Sequence, residues 1–283
     1  MRGEILEMNF QTLIPEPPLS DCVEQFVLSH GHRPGHLVEQ VLPNGFMQLI
    51  IDLRDGGGTS SGDLLRECGG VVVSGIQSRT VAVDAASMES VICVPFKVGS
   101  AIRLFRCAAD ELKDAHVPLE SLWGDAATDL RERLLEAAPA ERLHLLEKLL
   151  SQRLLTDKSL HPALEIAIRT FDAEPWRTTG AIIEEVGLSE RRFIQLFKQQ
   201  VGTTPKQYCR VQRFQRALHR IGQTSEPNWV HVALDCGYFD QPHFVNEFRS
   251  LAGMSPTQYL SRNRPHRNHV VTGNTVTGSS PRV

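Results

Sequence analysis

Several things that would mark a membrane, secreted or catalytic protein are missing from this 283-residue chain. No apolar run approaches the roughly 18 residues that a membrane-spanning helix needs, so no membrane partner is expected. The six cysteines (Cys22, Cys68, Cys93, Cys107, Cys209 and Cys236) are scattered, with no CxxC pair. That spacing indicates neither a disulfide framework nor a zinc cluster, and reduced thiols in a cytoplasm are the expectation. The opening MRGEILEMNFQTLIPEPP carries acids and lacks the apolar centre of a signal peptide. The GGG at 56–58 is not followed by Lys-Ser/Thr and a helix, so it is no phosphate loop. No nucleophile sits in a recognisable activating context, and the GSSP near the end is not a nucleophile elbow. No cofactor and no enzymatic activity are expected. Tryptophan and tyrosine are scarce, at three each, and the twelve phenylalanines carry most of the aromatic core.

Charge is present but unevenly placed. Residues 1–160 hold 15 Lys and Arg against 23 Asp and Glu, a balance of -8; residues 161–283 hold 15 against 10, a balance of +5. A basic module behind an acidic one suits a nucleic-acid-binding domain attached to a regulatory domain. Extended patterns dominate the first part. The segment 37–53 has β-branched and apolar runs split by the turn signal Pro43-Asn44-Gly45, and 69–83 and 90–96 read as further strands. Helical periodicity follows at 99–114, 125–138 and 140–155. In the last of these, Leu143, Leu146, Leu150 and Leu154 form one stripe that could pack on its own domain or serve as a dimer seam. A polar, proline-bearing stretch at 156–165 reads as a linker, and everything from there to about 260 reads as helical.

The helical part says one thing twice. VGTTPKQY at 201–208 is nearly repeated by AGMSPTQY at 252–259, and the similarity extends upstream. Thr179, Ile182, Ile183 and Val186 correspond to Trp229, Val232, Ala233 and Cys236, each set on one helical face. Each helix stops at a glycine, Gly187 or Gly237, where a left-handed turn costs that residue little. Ser189 and Asp240 are good N-caps for a second helix, whose buried faces would be Phe193, Leu196 and Phe197 in one copy and Phe244 and Phe248 in the other. This is helix-turn-helix grammar, with the second turn one residue longer.

Outward, the second helix of copy one would show Arg191, Ile194, Gln195 and Lys198, with Arg192 alongside. Copy two would show Pro242, Val245, Asn246 and Arg249, flanked by Gln241 and His243. Arg, Gln and Asn can bond base edges in the major groove, Lys and Arg can neutralise phosphates, and Ile194 and Val245 could touch thymine methyls. Between the copies, Pro205 starts a helix whose apolar stripe is Tyr208, Val211, Phe214, Leu218 and Ile221 and whose basic flank is Arg210, Arg213, Arg216 and Arg220.

On GLSERRFIQLFKQQVGTTPKQY, RFQRAL, VALDCGYFDQPHFVNEFR and GMSPTQY, residues from about 165 to 260 resemble the DNA-binding domain of the AraC/XylS family of bacterial transcription regulators. The resemblance implies two helix-turn-helix units about a central helix, each sending its second helix into a major groove. It implies base reading by Arg191, Ile194 and Gln195 in the first unit and by Gln241, His243 and Asn246 in the second. Phosphate contacts would come from Arg192, Lys198, Arg210, Arg213 and Arg249. Two positions depart from the family pattern. Ile183 stands where a small alanine is usual, which would space the first unit's helices wider. Pro242 stands where a polar contact is frequent, which shifts the second unit toward phosphate clamping. Double-stranded DNA is the implied partner, with RNA polymerase, a small-molecule effector and a homodimer as further partners that such regulators use.

The expected class is α+β. Residues 1–158 form an effector or dimerisation domain, a small β-barrel or sandwich with helices, resembling the cupin-type domain of some family members. Residues 159–262 form the all-α double helix-turn-helix domain, and 263–283 a disordered tail. The alternative is a metal-dependent cupin-like enzyme with an accessory helical domain, suggested by His30, His32, His36 and Glu39; the glycine and proline between them favour a solvated loop.

Overall fold

The β-branched runs form strands, but into two layers rather than a closed barrel. The computed structural model describes residues 9–31, 35–54, 63–155, 158–174 and 176–272. Its strands are β1 (Asn9–Leu13), β2 (Phe26–His30), β3 (Val38–Val41), β4 (Gln48–Asp52), β5 (Val71–Ser74), β6 (Val81–Asp84), β7 (Ser90–Pro95), β8 (His116–Pro118) and β9 (His269–Val271). One sheet has the order β1-β2-β7-β4-β5-β8 and the other β6-β3-β9, with every neighbouring pair antiparallel. Side-chain alternation explains the layering. On β4, Leu49 and Ile51 are buried in the main core, while Ile50 turns to the opposite face with Val72 and Val91.

Helices cover the first of those faces. There the short α2 (Glu120–Trp123) precedes α3 (Ala126–Glu136) and α4 (Arg142–Ser151), whereas the short α1 (Leu64–Glu67) packs Leu65 on the opposite face with Val72 and Val91. Leu143, Leu146 and Leu150 of α4 are buried in the main core and Leu154 packs against it, so the leucine stripe belongs to its own domain and is no dimer seam. The helix expected over 99–114 is not there. Two 3-10 turns, Ala101–Arg103 and Ala109–Leu112, take its place. Adjacent residues Leu104 and Phe105 are both buried, which a one-sided helix does not achieve. The carbonyls are also claimed by distant partners: Trp123 Nε1 donates to Leu104 O and Leu155 N to Arg103 O. Tertiary packing overrides helix propensity here.

The remaining helices are α5 (Pro162–Ala173), α6 (Thr179–Val186), α7 (Glu190–Val201), α8 (Pro205–Ile221), α9 (Trp229–Asp235), α10 (Gln241–Ala252) and α11 (Pro256–Ser261). Packing runs across the expected boundary at 158. One core extends from Leu19 through Phe171, Phe193 and Phe197 to Cys209, so the first helical unit shares it with the sheet. The second unit has its own core, built on Phe214, Phe244, Phe248 and Tyr259 and completed by Leu42 and Val270. The turn at Pro43-Asn44-Gly45 sits against α8, where Gln215 Nε2 donates to Pro43 O at 2.6 Å. Gly45 has φ +82°, a left-handed conformation that calls for glycine, and a Cβ there would press on Gln212 Nε2 at 3.1 Å.

The expected disordered tail is corrected for its first ten residues, while 273–283 lie outside the described residues. Strand β9 pairs with β3, with Gln40 opposite Val270, and Val270 is fully buried. Tyr259 Oη donates to Arg267 O at 2.7 Å, turning the chain back toward the sheet. Buried Glu39 of β3 completes the attachment, bonded to His36 Nε2 at 2.6 Å and to His269 Nδ1 at 2.7 Å. Burial alone would raise the Glu39 carboxyl, but the bonds from His269 and His36 outweigh it and hold it below the ordinary glutamate range. A depressed carboxyl stabilises the fold above its unfolded value, and that contribution is lost as pH falls through the folded one. Glu39→Gln should therefore cost about 1.5 kcal/mol near neutrality, and the two denaturation curves should converge in acid. A gap that persists unchanged at acid pH would contradict this.

Candidate nucleic-acid interface

Each helix-turn-helix unit is assembled by the signals that its sequence carries. Helix α6 ends at Gly187, φ +68°, and α9 leads to Gly237, φ +80°, both left-handed. Ser189 Oγ then accepts the Arg192 amide, and Asp240 Oδ1 accepts the His243 amide at 2.7 Å, starting α7 and α10. Pro242 falls in the first turn of α10 and leaves the helix intact. The repeated motif is a second punctuation mark. Gly202 and Gly253 close α7 and α10 in left-handed conformations, and Thr204 and Ser255 cap the proline-led α8 and α11.

The apolar faces lock these helices inward. Phe193 and Phe197 are fully buried, as are Phe244 and Phe248. What remains outside is polar. On α7, Arg191, Arg192, Gln195 and Lys198 are exposed and Ile194 is half-buried; on α10, His243, Asn246 and Arg249 are exposed and Gln241 is half-buried. Among the described residues none of Arg191, Arg192, Lys198 and Arg249 forms an ion pair. Val245 packs against the second core, which withdraws it from the outward set. Ile183 is half-buried against the main core, while its counterpart Ala233 is fully buried.

The arginines of α8 are engaged within the protein. Arg210 Nε lies 3.2 Å from Glu247 Oε1, and Arg213 Nη2 donates to both oxygens of the same carboxylate at 3.3 and 3.2 Å. Arg213 also lies over the Tyr238 ring. Arg216 donates to the carbonyls of Asp172 and Ala173 at the end of α5 and stacks over Trp176. Arg220 meets Asp235 at 2.8 Å. These contacts fasten both units to the central helix. Glu247 is the residue that sequence reasoning missed. Its signal was visible, an acid on α10 opposite the basic flank of α8. Asp172 plays a similar part for the first unit by accepting the Tyr208 hydroxyl. Burial raises its carboxyl, although the Tyr208 bond and nearby Arg216 oppose that.

The metal reading finds no support in this geometry. His30 is exposed on β2, whereas His36 is bonded to Glu39, and His32 lies outside the described residues. Among the described residues no cluster of three or more His, Cys, Asp or Glu side chains is placed to hold a metal. No helix among them is long and apolar enough to cross a membrane.

Two tandem helix-turn-helix units on one central helix, each with an exposed polar face on its second helix, define a domain of the double helix-turn-helix class. Residues 182–262 match a family described as a helix-turn-helix domain, and residues 11–118 match one described as a domain of unknown function (DUF6597). The chain is 30% identical over 135 residues to the HTH-type transcriptional regulator ArgR of Pseudomonas aeruginosa, spanning 47% of this chain and 38% of that one. It is 35% identical over 78 residues to the HTH-type transcriptional activator RhaS of Escherichia fergusonii, spanning 28% of each. It thus covers well under half the length of these relatives. A solved transcriptional regulator from Chromobacterium violaceum, with an AraC-type DNA-binding domain, is 33% identical over 34% of this chain and 88% of that chain, with a TM-score of 0.32. Through residues 182–262 the chain is thus similar to helix-turn-helix transcriptional regulators, in line with the AraC/XylS resemblance of its sequence.

Proposed function

We propose that the protein is a sequence-specific, cytoplasmic transcription regulator that grips two successive major grooves of double-stranded DNA, one with α7 and one with α10. The observation that carries this reading is the matched pair of exposed faces, Arg191-Gln195-Lys198 and His243-Asn246-Arg249, held on one central helix. Grooves on one side of a duplex recur about every 34 Å, and a rigid α8 keeps the two helices in register with them. Arg191, Ile194 and Gln195 read bases in the first groove and Gln241, His243 and Asn246 in the second. Arg192, Lys198 and Arg249 neutralise phosphates. Arg210 and Arg213 contribute differently from that set, because Glu247 holds them and they orient α10.

Arg191→Ala should weaken a cognate site by about 1–3 kcal/mol while nonspecific binding barely changes. Quantitative footprinting on cognate and scrambled duplexes tests this; equal loss on both would remove Arg191 from the reading set. The sheet domain is the natural receiver of a small effector, since a cavity lies between its two layers. RNA polymerase is the partner that an activator of this class would engage. A homodimer would have to use a surface other than the leucine stripe of α4, which the core occupies.

A further inference from the structure

Between the six-stranded and three-stranded sheets lies a cavity of about 110 Å³. Its walls are mainly apolar, with Val41, Ile50, Leu64, Val83 and Met88 among them. Most of the polar groups that reach it are already used. Asp63 is held by Arg54 at 2.7 Å, and Asp84 accepts the Ala86 amide. Gln77 Nε2 donates to the carbonyls of Gly75 and Ala115. His269 is bonded to Glu39.

His116, on β8, is different. Both of its ring nitrogens are buried and neither has a hydrogen-bond partner among the described residues. A buried polar group without a partner is unfavourable by the worth of the bond it lacks. Burial also lowers the His116 pKa, which keeps the ring neutral near pH 7 with one N–H to give and one lone pair to receive.

The geometry points to this cavity as the binding site of a small uncharged ligand of about benzene size, carrying one hydrogen-bonding group that meets His116. Size sets the first limit, because an apolar cavity of about 150 Å³ takes benzene. Charge sets the second. The carboxylates at the wall are already engaged, and an ion brought between these sheets would lose its water without gaining a counter-ion. The hydrogen-bonding group follows from the imidazole, which can serve a hydroxyl as donor or acceptor. This rests on the reading of the sheet domain as a ligand receiver, but it is tested on the full chain without DNA, so failure of the base-reading proposal would leave it standing.

Phenol is the probe, with benzene and benzoate as comparisons, followed by calorimetric titration. Phenol should bind about tenfold tighter than benzene, the worth of one hydrogen bond, and benzoate at least tenfold weaker than phenol. His116→Phe should remove the advantage of phenol over benzene while benzene still binds. In the wild-type protein, the ring-nitrogen NMR signals of His116 should move with phenol and stay with benzene, a readout that needs no variant to fold. Absence of phenol binding, unmoved His116 signals on phenol addition, or a phenol affinity unchanged by His116→Phe would each overturn the assignment.

Discussion

Replacing Phe197 with alanine should destabilise the protein by about 3–5 kcal/mol, a large part of the 5–15 kcal/mol typical of a folded domain. The ring is fully buried. Its centroid lies 6.2 Å from that of Phe171, 5.8 Å from Phe193 and 5.7 Å from Tyr208, so it joins α5, α7 and α8 at one point. The surrounding core also continues into the sheet domain, which restricts how far the walls can collapse on the space left behind. That restriction places the cost at the high end of large-to-small substitutions. Urea denaturation followed by circular dichroism measures it, and a loss below about 1 kcal/mol would mean that the first helical unit and the sheet do not share this core in solution.

Arg54→Met should be nearly as damaging, at about 3 kcal/mol, for an electrostatic reason. Arg54 bonds both oxygens of Asp52, at 2.8 and 2.7 Å, and reaches Asp63 at 2.7 Å. Asp52 is fully buried and Asp63 nearly so. Burial by itself would lower the Arg54 pKa, but the bonds to Asp52 and Asp63 outweigh it and hold the guanidinium charged. Removing it leaves the two buried carboxylates, among the described residues, with the Arg66 guanidinium, whose Nε lies 3.6 and 3.7 Å away, and the backbone amides of residues 54 and 66. The exposed pair Arg133–Asp129, at 3.5 Å, is the control: Arg133→Met should cost under about 1 kcal/mol. Similar losses for the two variants would show that burial of the Arg54 cluster is not what gives it weight.

The helical half was legible because its signals are local. Caps at Ser189 and Asp240, turns at Gly187 and Gly237, and prolines at 205 and 256 each act within four residues of where they stand. The strands over 37–53, 69–83 and 90–96 were legible for the same reason, and they appear as β3 to β7. What was not legible depends on partners far along the chain. Strands β1 and β2 have no strong period of their own and are made by pairing with each other and with β7. The helical period over 99–114 yielded to Trp123 and Leu155. On the candidate interface, exposure of Arg191, Gln195 and Asn246 followed from helical phase alone. The engagement of Arg210 and Arg213 did not, since it needs Glu247 from another helix.

The C-terminal strand β9 changes what a usable fragment of this protein is. The matched helix-turn-helix segment ends at residue 262, and an expression boundary drawn there would look safe. It would remove Val270 from the second core and leave the edge of β3 unpaired, and an unpaired strand edge is a template for pairing with other chains. Chimaeras that exchange the helix-turn-helix part for another should carry the native chain through Thr272, or graft the donor's helices upstream of it.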